Sequence, residues 1–320
     1  MDKKYDIVAL GEVLIDFTPA GRSESGMLLF EQNPGGAPVN MLTAAAKNGF
    51  RTAFIGKVGN DMHGQFLKDT MEAEEIDTEG LVVADDVFTT LAFVALKENG
   101  ERTFSFARKP GADTKLCYKE LNQKIVRDTR VFHIGSLSLT DEPARTTTFQ
   151  AVRMAKESGA LISYDPNYRQ PLWESREEAM ERMCSLLPYV DLLKISDEET
   201  ELLTPYKEPE AAAEYLIKKG IQIVAVTLGA DGVLVAAEGK MKRVPGYKSR
   251  AVDTTGAGDS FWGGFISEFL RHECAPEDLS TEQLEQCARF GNATASLCVE
   301  KRGGIPAIPD RKTVEARMQE

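Results

Sequence analysis

Apolar and polar positions along the chain follow two alternating rhythms. "YDIVALGEVLIDF", residues 5–17, is a nearly continuous apolar and β-branched run and predicts a buried strand that continues past Gly11. "PVNMLTAAAKNGF", residues 38–50, predicts a helix with Pro38 near its start and Gly49 just past its end. A strand at "RTAFIGKVG" and a helix at "DMHGQFLKDTMEAEEI" follow. From about residue 110 the same rhythm predicts strands at "RVFHIGSL", "ALISYDPN", "VDLLKIS" and, around a tight Ala-Asp-Gly turn, "QIVAVTLGADGVLVAA". Helices are expected at 142–158, 176–187, from 197, at 209–219, 259–271 and 281–300, with a short tail beyond. Strand–helix alternation of this kind is the pattern of an α/β fold with a parallel sheet and crossover helices.

Two stretches break the rhythm. Residues 17–33 read as a long connection with Gly, Ser and Pro. Residues 87–108 alternate and turn at Asn99-Gly100, a hairpin signal. Together they predict a small β layer, either an antiparallel edge on the main sheet or a lid over a site. No internal repeat, low-complexity segment or linker divides the chain, so residues 1–320 are read as one domain, with the β lid built from about 17–35 and 87–108.

Composition narrows the classes. A hydrophobic share of 42% supports a substantial core, and 28% charged residues is ordinary for a soluble domain. The net charge of −12 argues against nucleic acid as a partner, which needs a basic footprint. Cys117, Cys184, Cys274, Cys287 and Cys298 form no CxxC pair, which suits free thiols in a reducing compartment and predicts a cytoplasmic protein. The start reads as a first strand and not as a signal peptide, and no apolar stretch reaches the length of a membrane span. His63, His133 and His272 lie far apart, without metal-ligand spacing.

Candidate chemistry collects at strand ends, where open parallel sheets bind ligands. Asp16, Asp165, Asn167, Ser196, Glu199, Thr227 and Gly229 all fall there. The most informative stretch is "AVDTTGAGDSFWGGF", residues 251–265. Asp259 would open a helix, and one reading of it is a plain N-cap. That reading leaves the small residues Gly256, Ala257 and Gly258 unexplained. Small residues let a backbone approach a ligand, and amides at a helix start hold phosphate oxygens. A carboxylate there can take a proton from a hydroxyl that attacks phosphorus. An anion cradle beside a base is what a small-molecule kinase requires. The P-loop pattern GxxxxGK[ST] is missing, and no GxGxxG opens a first βαβ unit.

These residues resemble the ribokinase-like (PfkB) family of carbohydrate kinases over nearly the whole chain. "DTTGAGDSFWGGF" looks like the family's C-terminal signature, and residues 33–67, "NPGGAPVNMLTAAAKNGFRTAFIGKVGNDMHGQFL", like its N-terminal one. "GGAPVN", "YDPNYRQPLW" and "KISDEETELLT" resemble the fructokinase branch. The resemblance implies a three-layer αβα sandwich with a mostly parallel sheet and a small β lid. It implies transfer of the γ-phosphoryl group of ATP to a primary hydroxyl of a sugar, with fructose expected. Kinases of 2-keto-3-deoxygluconate, ribose or aminoimidazole riboside, or a non-catalytic sugar-sensing homologue, are the alternatives.

By resemblance, Asp259 is the base, and the backbone of Gly256, Ala257 and Gly258 is the anion hole. Asp16, Gly35, Gly36 and Asn40 grip sugar hydroxyls, Phe104 or Phe106 covers the ring, and Arg169 sits near sugar or phosphates. Asn167, Thr227, Gly229, Gly232 and Asn292 serve the nucleotide, with Asn292 beside the adenine. Glu199 positions Mg²⁺ through water, although Ser196 stands where the family's Asn-x-x-Glu motif has Asn. Asp253, Thr255 and carbonyls around Gly303 match a monovalent-cation site that would take K⁺, with Ala307 where some relatives carry a hydroxyl. Family lids often pair, so a homodimer is expected.

Overall fold

Strand β1 (Tyr5–Leu10) sends Ile7 and Ala9 into one apolar cluster and Val8 and Leu10 into another, all four buried. This is the signature of a strand covered on both faces. The computed structural model describes residues 3–96 and 102–320. After β1 the first half of the chain runs β2 (Leu14–Arg22), β3 (Leu28–Gly35), α1 (Ala37–Lys47), β4 (Thr52–Gly59), α2 (Met62–Ala73), β5 (Ile76–Ala84), β6 (Leu91–Leu96) and β7 (Arg102–Ala107). It continues through α3 (Gln123–Arg127), β8 (Thr129–Gly135), α4 (Ala144–Glu157), β9 (Leu161–Asp165), α5 (Arg176–Cys184), β10 (Leu192–Ser196), α6 (Thr200–Leu203), α7 (Pro209–Lys218) and β11 (Ile223–Thr227). Last come β12 (Val233–Ala237), β13 (Lys240–Val244), α8 (Ala257–Arg271), α9 (Thr281–Cys298) and α10 (Arg311–Arg317).

Nine strands form one sheet in the order β13-β12-β11-β10-β9-β8-β1-β4-β5. From β5 to β11 every neighbouring pair is parallel, and β12 and β13 close the edge antiparallel. One face is covered by α1, α2, α8 and α9, through side chains such as Leu42, Met71, Trp262 and Leu284. The other is covered by α3 to α7, through Val126, Val152, Met183, Leu203 and Leu216. The result is the three-layer αβα sandwich. β2, β3, β6 and β7 form a separate small sheet in the order β3-β2-β6-β7.

Several expectations are corrected. The first strand does not continue past Gly11. It stops at Leu10 and the chain leaves the large sheet; just beyond the break the Glu12 carboxylate accepts the Ala37 amide at the start of α1 (3.1 Å). Apolar periodicity runs across that break and cannot reveal it. Residues 17–33 are not a connection but two antiparallel strands, with Phe17 opposite Gln32. Their far ends are exposed, which explains the polar, Gly-containing sequence. β5 and β13 were not expected. Both are edge strands whose burial is intermittent, so their apolar signal is thin. Helix α8 starts at Ala257, two residues earlier than expected, which moves Asp259 from the cap into the first turn. The Asn99-Gly100 turn lies outside the described residues. Among the described residues, no helix is long and apolar enough to cross a membrane.

Candidate active site

A groove of about 810 Å³ opens between the small sheet and the carboxyl ends of the large sheet's strands. Its floor is the start of α8. Gly256 caps that helix with a left-handed φ of 75°, and no side chain caps it. The amides of Gly256 and Gly258 donate to no acceptor among the described residues. They remain available to an anion, aided by the helix dipole. The rest of α8 is mostly buried, and Trp262, Phe265 and Phe269 seat it against the sheet. Trp262 also donates from Nε1 to Ser163 Oγ on β9 (2.8 Å), which fixes the helix relative to the strand ends.

Asp259 lies in this first turn and does not cap it. Asn40 of α1 donates to its Oδ2 (2.8 Å) and Asn167, after β9, to its Oδ1 (2.9 Å). Asn167 adopts φ 49°, a conformation that asparagine tolerates better than most side chains. Two amide donors from two elements leave Asp259 with a single orientation. Burial pushes its carboxyl pKa up, and Lys194, the two amides and Arg169 pull it back.

Asp16 faces the groove from β2 in the small sheet. Burial pushes its pKa up to about 6, the Arg169 charge opposes this, and Asp253 and Asp259 add to it. Gly35 ends β3 directly beside the Asp16 carboxylate, where a Cβ would collide with Oδ2. Gly36, Phe106, Arg169, Thr227, Gly229, Asp253, Thr255, Ala257, Glu199 and Gly303 line the groove with these residues. Gly232 and Asn292 do not line it. The Asn292 amide donates to the carbonyls of Val244 (3.1 Å) and Pro245 (3.0 Å). The Phe104 side chain is outside the described residues.

The residues expected to serve metals fit that chemistry in different ways. Glu199 forms a capping box with Ser196: its Oε2 accepts the Ser196 amide (2.8 Å) and hydroxyl (3.0 Å), and its Oε1 accepts the Tyr168 amide (2.7 Å). Both oxygens are engaged by protein donors, which suits an outer-sphere role toward a hydrated divalent ion. Asp253 accepts the Thr255 amide (3.0 Å) and hydroxyl (2.8 Å) and the Gly303 amide (3.2 Å), so it ties the loop before α8 to the tail segment.

Lys194 was missed in the sequence. It sits on β10, buried, and its ammonium donates to Asp165 Oδ2 at 2.9 Å while facing the groove. The available signal was a lysine inside the apolar run "LLKIS". Glu12, Asn33 and Tyr168 also line the groove unforeseen.

Comparison with known proteins identifies the family. The model of the pfkB family carbohydrate kinases matches residues 4–311. The chain belongs to the pfkB family of carbohydrate kinases. Its relatives include a probable fructokinase-2 of Arabidopsis thaliana, 40% identical over 314 residues and covering 96% of this chain and 94% of that protein. A fructokinase from Xylella fastidiosa with bound ATP superposes with a TM-score of 0.90 at 32% identity, over 98% of each chain. A double-mutant fructokinase from Vibrio cholerae O395 with fructose, ADP and a potassium ion bound superposes with a TM-score of 0.87 at 30% identity, over 99% of each chain. This pfkB-family chain is thus an ATP-dependent sugar kinase.

Proposed function

We propose that this chain is an ATP-dependent fructokinase and that Asp259 is its base. The observation that carries this reading is the orientation of the Asp259 carboxylate, held by Asn40 and Asn167 beside the amides of Gly256 and Gly258, which have no acceptor among the described residues. A sugar gripped by Asp16, Gly35, Gly36 and Asn40, covered by Phe106 and flanked by Arg169, presents its primary hydroxyl to Asp259. The carboxylate takes the proton, the hydroxyl oxygen bonds to the γ-phosphorus of ATP, and ADP leaves with the electron pair of the broken P–O bond. The amides of Gly256 and Gly258 meet the charge on the transferring group, and Ala257 between them would join only by giving up its amide's bond to the Thr254 carbonyl (3.3 Å). Thr227, Gly229, Gly232, Asn167 and Asn292 are assigned to the nucleotide side. The relatives named fructokinase support the choice of fructose.

When bound, Mg²⁺ supplies charge neutralisation on the phosphates, and Glu199 would hold it through water. K⁺ is assigned to the loop of Asp253, Thr255 and Gly303, in line with the potassium ion of the Vibrio cholerae fructokinase. The small sheet is assigned the role of a lid within a single domain, and its closure would exclude water from the reacting groups. Five free cysteines support a reducing, cytoplasmic setting. A homodimer is supported by the aromatic face of the small sheet, where Phe17 stacks on Phe93 (5.2 Å) and both meet Phe30 edge-on, with Phe30 and Phe93 exposed.

The test is a substrate panel with coupled ADP detection: fructose, ribose, 2-keto-3-deoxygluconate and aminoimidazole riboside, each with and without K⁺. Fructose is expected to give the highest kcat/KM. Asp259→Asn is expected to lower kcat by about 10²–10⁴ with little change in sugar affinity. Turnover of Asp259→Asn near the unsubstituted level removes Asp259 from the role, and absence of ATP turnover with every sugar of the panel would leave a non-catalytic homologue.

A further inference from the structure

Lys194 has more donors than its partner uses. Among the described residues its ammonium has one hydrogen-bond acceptor, Asp165 Oδ2, which leaves two of its three N–H groups uncommitted. It is 5% exposed, and the surface it keeps belongs to the groove. It also lies against the anion cradle. A Cβ built on Gly258 would come within 2.8 Å of Nζ, so the missing side chain at 258 is what admits the ammonium beside the first turn of α8. Asp165 and Lys194 are therefore not a simple structural clasp. A buried ion pair costs desolvation and contributes little net stability compared with an apolar pair of the same volume.

We propose that Lys194 is a catalytic residue that donates to the phosphoryl group in transit, opposite the Gly256–Gly258 amides. This deepens the kinase reading above and rests on it. Asp259 takes the alcohol proton, the sugar oxygen bonds to phosphorus, and the bridging P–O bond breaks toward ADP. Through that passage negative charge is spread over the three non-bridging oxygens. Neutral amides meet it from the helix side, and Lys194 supplies a full positive charge from the β10 side. Asp165 aims the ammonium and takes no part in bond making. The carboxylates of Asp165, Glu199 and Asp259 outweigh the effect of burial, which alone would lower the Lys194 pKa, and keep it raised. His133 is buried too, its pKa pushed down to about 3 by burial and then by the Lys194 charge, so it stays neutral and adds no charge to the Lys194 ammonium.

The test uses Lys194→Met and, because that variant strands Asp165 in the interior, the double variant Lys194→Met with Asp165→Asn. Retained sugar affinity shows that each is folded. The expected result is a kcat lowered by about 10²–10³ with the KM for sugar within a few-fold. The loss should persist across the alkaline plateau of the pH profile. Binding of ADP with aluminium fluoride and sugar, a mimic of the phosphoryl group in transit, should weaken by a similar factor while ADP alone binds nearly as before. A kcat within tenfold of the unsubstituted protein in the folded double variant overturns the assignment. So does a loss that is recovered at high pH, which would mean that Lys194 acts only by holding Asp259 ionised. If the unsubstituted protein phosphorylates no sugar, the kinase reading itself falls, an outcome separate from either of these.

Discussion

Asp16 reaches the groove from the small sheet and Asp259 from the first turn of α8, and both carry carboxyl pKa values raised mainly by burial. For Asp16 the value is about 6 against an ordinary 3.8. Between these values the folded chain holds a proton that the unfolded chain has released, so stability falls as pH rises through that window and the cost is complete above it. Asp16→Asn removes the cost. It is expected to raise the unfolding free energy at pH 8 by up to about 3 kcal/mol and to leave it nearly unchanged near pH 3.5. Urea denaturation at the two pH values measures this, and equal effects at both would contradict it. Activity should respond in the opposite sense at Asp16, since a sugar hydroxyl loses a charged acceptor. For Asp259 the raised pKa places the acid limb of kcat/KM above the ordinary carboxylate range near 4, which a pH profile with the preferred sugar reads directly.

At the scale of elements, α8 carries both the anion cradle and the base, and its position depends on what it buries. Trp262, which is fully buried, stacks on Phe265 at 5.0 Å and donates to Ser163 on β9. Trp262→Ala is expected to cost about 3–5 kcal/mol of stability. Chemical denaturation checks the magnitude, and kcat measured below the unfolding transition should also fall, because the cradle loses its seat. The same helix shows what could be read from the sequence. Gly256, Gly258 and Asp259 stood out because small residues before an acid and an apolar helix form a local pattern. The exact start of α8 did not, because the cap is Gly256 in a left-handed conformation and not a polar side chain. Lys194 stayed hidden because its meaning comes from Gly258, Asp165 and Asp259, which are distant in sequence and converge only in the fold. β1 and β2 merged into one predicted strand because both flanks of Glu12 are apolar, although the two strands belong to different sheets and the Glu12 carboxylate between them accepts the Ala37 amide. The αβα alternation survived these errors because each central strand is buried on both faces and announces itself without its neighbours.

For the whole molecule, the small sheet leaves an aromatic face in solvent. Phe30 is 41% and Phe93 37% exposed, and Leu28, Leu29 and Met27 of the same hairpin are exposed as well. Burying such a face against a second copy would be favourable at about 25 cal/mol per Å² of apolar area. Phe93→Asp is expected to shift a dimer to monomer in analytical ultracentrifugation, and a monomer before substitution would remove the assignment. The division of the molecule into two sheets has one more consequence. Fructose arrives uncharged, but its phosphate ester departs with about two negative charges, in a groove that Asp16 and Asp259 line together. Repulsion would then eject what the enzyme has just made. Product inhibition should be weak, weaker still as pH climbs past the Asp16 titration, and partly restored by high salt.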